Sequence, residues 1–120
     1  MKKVGYARIN SKKVDMFSSQ LNRLDKFVEN NTIATDIECL CAIGQPGYEK
    51  VRMELSGGGE LYMCNLSCIS YDKKIVKKEL EYFDKQDIIV RILDIPASLT
   101  NKRGMVGLFT DEYLIEMTLR

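Results

Sequence analysis

The chain has 120 residues, 45% of them hydrophobic, which is enough for one core and leaves little room for two domains. Eighteen lysines and arginines nearly cancel seventeen aspartates and glutamates, so no chain-wide positive field draws it to nucleic acid or an anionic membrane. No apolar run reaches the roughly 18 residues that a bilayer span needs, and "MKK" leads into a strand, so the sequence reads as cytosolic.

In chain order, "KKVGYARI" at 2–9 has a strand's composition. Phe17, Leu21, Leu24 and Val28 recur at helical spacing, predicting an amphipathic helix over 14–30 capped by Ser11 or Asp15. A short second strand, 33–36, ends near Asp36, and "AIGQPGYEK" carries the Gly and Pro of a loop before a helix at 46–55. After the "SGGG" turn, 60–67 reads as a third strand with Leu61, Met63 and Leu66. Ile75, Val76, Leu80 and Phe83 mark a second amphipathic helix, "DIIVRILDI" a fourth strand, and Pro96 its stop. Beyond a Gly-containing loop, Phe109, Tyr113, Leu114 and Met117 predict a terminal helix with one dry face. Alternating strand and helix implies an α/β fold, a mainly parallel sheet with helices on both faces and its sites at the carboxyl ends of strands. Asn10, Ser11, Asp36 and the stretch Ser67 to Ser70 fall at such ends.

Cysteines stand at 39, 41, 64 and 68, and there is no histidine. C-x-C and C-x3-C are not zinc-knuckle spacings. On a continuous strand Cys64 and Cys68 would be about 13 Å apart, at about 3.3 Å per residue, too far for one tetrahedral ion. The expectation is no metal and no cofactor, with reduced, mostly buried thiols.

Six segments, in order and spacing, resemble the catalytic domain of the serine recombinases, the resolvase/invertase family. "YARINS" and Gln20 are similar to the family's Y-A-R-V-S-T strand and following helix, and "ATDIECL" to its strand ending in aspartate. "QPGYEKV" resembles its R-P-G-L segment, with Gln45 in place of arginine. "SGGGELYMCNLSCISYD" follows its glycine-acid turn, strand and D-R-L-G-R motif, with Ser67, Cys68 and Tyr71 at the three polar positions. "IIVRILDIPASLTNKRGMVG" resembles the fourth strand and the loop before the dimerisation helix. The resemblance covers nearly the whole chain. It implies one domain over 1–120 with four or five mainly parallel strands, pairing through the C-terminal helix as a homodimer or with an intact recombinase. It also implies DNA as partner, a mobile-element setting, and no helix-turn-helix reader within these residues.

In that family a serine hydroxyl attacks a DNA phosphodiester without a metal, so arginines must supply the positive charge. Losing one well-placed donor from such a site costs about 2.7–4 kcal/mol. Here the arginine positions 45, 68 and 71 and the aspartate position 67 are all changed, leaving Arg8, Ser11 and Asp36 as vestigial candidates. Counting from the amino terminus puts Asn10 in the nucleophile's place; counting back from Gln20 puts Ser11 there. Strand alternation sets Arg8 and Asn10 on one side and Ser11 on the other, which favours Asn10 as the replaced nucleophile. The expectation is an impaired recombinase domain, or a non-catalytic dimerisation or regulatory module derived from one. Plainer roles stand beside these: Arg8 as a salt-bridged residue, Ser11 as a helix cap, Asp36 as a turn cap, and "KKIVKK" as a solvated face.

Overall fold

Lys3–Ile9 forms strand β1, buried on both faces from Val4 to Ile9, as expected of the centre of a covered parallel sheet. A computed structural model describes residues 2–9, 14–37, 41–108, 115 and 119. The other elements are α1 (Val14–Leu24), β2 (Ile33–Ile37), α2 (Pro46–Glu54), β3 (Gly59–Met63), α3 (Lys73–Lys85), β4 (Ile88–Ile92) and α4 (Ala97–Thr100). The four strands are all parallel, in the order β2-β1-β3-β4, with β1 and β3 paired at the centre. This is the α/β architecture expected from the alternation of elements.

Period-two alternation divides the core in two. Val4, Tyr6, Leu61, Met63, Val90 and Ile92 face α2 and α3, where they meet Tyr48, Val51, Leu55, Val76, Leu80 and Phe83. Ala7, Tyr62, Cys64 and Leu93 face the other way, against Leu24 and Val28, with Phe17, Leu21 and Leu99 packed on them. Burying each large aliphatic or aromatic side chain contributes roughly 1.5–3 kcal/mol, so both layers hold the sheet in place.

Three element ends differ from the sequence reading. The first helix stops at Leu24, and turns carry the chain to Val28, which still reaches the core and packs beside Gly5. The third strand stops at Met63: Leu66–Cys68 is a 3-10 turn that leaves the sheet, so the 13 Å separation of Cys64 and Cys68 expected from a straight strand does not apply. β4 ends at Ile92, where the buried Ser98 hydroxyl meets the main chain: it accepts from Ile92 N at 2.8 Å and lies 3.0 Å from Ile92 O. The segment after Pro96, expected as loop, contains the short α4. Gly104 has φ +62° and bridges Val90, and a Cβ there would lie 2.2 Å from the Val90 oxygen, so only glycine fits.

Of the terminal segment, Ile115 is helical and fully buried in the α2/α3-side core, and Leu119 packs against the same cluster. The expected stripe of Phe109, Tyr113, Leu114 and Met117 lies outside the described residues. No helix among the described residues is long and apolar enough to cross a membrane.

Candidate functional site

The carboxyl end of β1 sits between those of β2 and β3, so a residue there is reached from both sides. Arg8 occupies that place and is 5% exposed. Its Nε donates to the Cys68 carbonyl at 2.8 Å, and its Nη2 donates to the Ser67 carbonyl. The guanidinium therefore clasps the 3-10 turn that follows β3. Gln20, on α1, completes the arrangement: its amide nitrogen donates to the Arg8 carbonyl at 3.2 Å, and its Oε1 lies 3.6 Å from the Cys68 thiol. The Cys64 thiol lies 3.8 Å from the Gln20 carbonyl. Burial pushes the Cys64 thiol up to about 12, with the neighbouring Cys68 sulfur adding to it, and burial likewise raises Cys68. Both remain protonated thiols at neutral pH, poor as nucleophiles. Among the described residues no group of three or more Cys, Asp or Glu is placed to hold a metal ion.

Asp36 pairs with Arg8 in the β1–β2 register, yet its carboxylate turns to α2. Oδ1 accepts from Gly47 N at 2.9 Å, and Oδ2 accepts from Tyr48 N at 2.9 Å and the Tyr6 hydroxyl at 2.7 Å. A carboxylate on the first free N–H groups of a helix satisfies orphan donors and the helix dipole together. Gly47 makes the approach possible, since a Cβ there would stand 2.5 Å from the Thr35 oxygen and 2.9 Å from Asp36 Oδ2. Of the readings open for Asp36, the capping role accounts for both oxygens.

The remaining expected positions are dispersed in role. Gln45 is the residue before α2, half-buried, and makes no side-chain cap. Ser67 hydrogen-bonds Asn65 through its hydroxyl, Cys68 is buried, and Tyr71 is 62% exposed just ahead of α3. Asn10 and Ser11 lie outside the described residues. The structure thus joins Arg8 to Ser67 and Cys68, but through their main-chain oxygens, and it keeps Asp36 and Gln45 on the α2 side.

Sequence reasoning missed a second buried polar chain behind Asp36. The Tyr48 hydroxyl donates to Glu79 Oε1 at 2.7 Å, and the Tyr6 and Tyr48 rings meet edge to face at 5.2 Å. Burial beside Glu79 raises Tyr48 far above a free phenol, so it is a fixed donor. The signal was readable: Glu79 falls three after Val76 and four before Phe83, on the apolar stripe of α3, where an acid must have a partner.

The chain matches no family model and no curated protein.

Proposed function

We propose that the chain is a resolvase/invertase-type recombinase domain whose strand cleavage through a phosphoserine link is impaired, and that it acts by associating with a second copy or with an intact recombinase. The observation that carries the reading is the engagement of Arg8: the cation that would face a phosphate instead binds the carbonyls of Ser67 and Cys68. Bidentate guanidinium donors stabilise a phosphoryl-transfer transition state only when they point at its oxygens. Asp36 is likewise committed to the α2 terminus. The motif resemblance and the parallel sheet with Arg8 at the end of its central strand support the family; the altered positions 45, 67, 68 and 71 support the loss of chemistry. Pairing runs through the terminal helix, with Phe109, Tyr113, Leu114 and Met117 as its dry face. DNA contact depends on the partner, and the setting is cytosolic, within a mobile element.

The test is incubation of the purified chain with supercoiled plasmid, followed by denaturing electrophoresis. The expected result is intact plasmid and no covalent protein–DNA adduct. A phosphoserine adduct at Ser11 that disappears in Ser11→Ala would overturn the proposal.

A further inference from the structure

The two edges of the sheet are treated differently. At β4 the chain returns to cover the edge: Gly104 bridges Val90, and Met105 N donates to the Val90 carbonyl at 2.9 Å. At β2, by contrast, pairing among the described residues is to β1 alone, and none of them pairs with its outer edge. Edge strands are normally guarded by an outward lysine, a proline, a bulge or a covering segment. β2 reads Ile-Ala-Thr-Asp-Ile, and its one charged side chain, Asp36, is buried on α2. Thr35 is exposed, and Ile37 is 52% exposed, more than any other isoleucine among the described residues.

We infer that β2 is a self-pairing edge that joins a second copy of this chain antiparallel across a two-fold axis at Thr35. The sequence of the strand selects this occupant. With the axis on Thr35, Ile33 of each copy stands opposite Ile37 of the other, Thr35 opposite Thr35, and Ala34 opposite Asp36. Ile33, Thr35 and Ile37 share the α1-side face, so two apolar pairs flank a hydroxyl pair, and the contact repeats itself by symmetry. The match centres on Thr35 whichever alternate residues turn their main-chain groups outward, because both antiparallel pair types keep these residues opposite. A foreign strand would gain the ladder without this symmetric match. This contact is separate from the terminal-helix pairing proposed above.

Symmetry supplies the test. Antiparallel partners have Cα atoms about 4.5–5.5 Å apart, inside the window of about 4.4–6.8 Å that a disulfide needs. In a chain carrying Cys39→Ser and Cys41→Ser, Thr35→Cys should cross-link to a covalent dimer under mild oxidation, whereas Thr100→Cys on α4 should not. Ile37→Lys enters each dimer twice and should weaken association in sedimentation by roughly ten-fold or more, a change of about 1.4 kcal/mol per decade, while leaving the monomer folded. Leu114→Asp, which attacks the terminal helix, should leave the Thr35→Cys cross-link intact. A Thr35→Cys chain that cross-links no faster than Thr100→Cys overturns the inference. So does an association that Ile37→Lys leaves unchanged, and in that case loss of association in Leu114→Asp assigns it to the terminal helix instead.

Discussion

Arg8 and Arg91 are two largely buried arginines on neighbouring parts of one sheet, and they do the same mechanical work on opposite faces. Arg8, on the α2/α3 side, clasps the turn after β3 through the carbonyls of Ser67 and Cys68. Arg91, on the α1 side, holds the turn around α4 by donating from Nη1 to the carbonyls of Ser98 and Asn101, both at 2.8 Å. The difference lies in what else is there. Arg91 Nε also meets Glu60 Oε1 at 2.5 Å, and Glu60 in turn has Lys3 at 3.9 Å. Only Arg8 stands in a motif that suggests catalysis, yet its described contacts are those of the arginine that no motif singles out. Position at a strand's carboxyl end is thus a place where chemistry can be built, and here that place is filled by a brace.

The largest effect is expected at Arg91. Arg91→Met leaves Glu60, only 7% exposed, without its close cation, and strands two carbonyls. Removing one partner of a buried pair costs roughly 3–5 kcal/mol, readable as a lowered urea midpoint. Adding Glu60→Gln should recover part of that loss, because the uncompensated charge goes with it. A loss as small as a surface substitution would show that Arg91 is not bracing the turn.

Arg8→Met is the sharper test of the comparison. If Arg8 is a brace, two charge-assisted bonds to carbonyls disappear and stability should fall by about 2–3 kcal/mol, less than at Arg91. A ligand-binding arginine behaves differently, since removing a cation kept for a phosphate leaves stability unchanged or raises it. Urea unfolding of Arg8→Met therefore separates structure from retained function without any DNA. A neutral or stabilised variant breaks the parallel with Arg91.

The sheet was legible in the sequence because period-two and period-3.6 patterns report burial, and burial decides which residues become β1, α3 and β4. The ends were not. β3 leaves the sheet after Met63 because Arg8, about sixty residues earlier, takes the carbonyls of the following turn, and no local propensity carries that information. Asp36 was legible as a cap in kind, but its target, the α2 terminus eleven residues on, depends on the return of the chain over the sheet. Gln20 stands out in the sequence for its place in a motif, whereas its work, tying the Arg8 carbonyl to the Cys68 thiol, is visible only in three dimensions. Glu79 is legible from its place on the apolar stripe of α3, but its partner, Tyr48, is not.

The smallest effect concerns the thiols: Cys68 lies in the turn that Arg8 clasps, whereas Cys64 lies in the opposite, α1-side layer. Cys64 has an ordinary value near 9.0, taken here for the unfolded chain, and burial pushes it up to about 12 in the fold. Between those values the folded protein keeps a proton that the unfolded chain has released. Stability from this group is therefore fully present below about pH 9 and declines as pH rises toward about 12. Cys68 is raised in the same direction and adds to the decline. Tyrosine ionisation in the unfolded chain contributes an alkaline loss of its own, so the informative quantity is a difference. Cys64→Ala should be somewhat less stable than the parent at neutral pH, because the sulfur fills space between β3 and α1. Its urea midpoint should nevertheless fall less steeply between pH 8 and about pH 10.5. Arg91→Met, whose lesion lies on the other brace, should keep the parent's alkaline slope. Equal slopes in the parent and Cys64→Ala would mean that the Cys64 thiol loses its proton as readily folded as unfolded, and that the layer between β3 and α1 is more open to water than its burial implies.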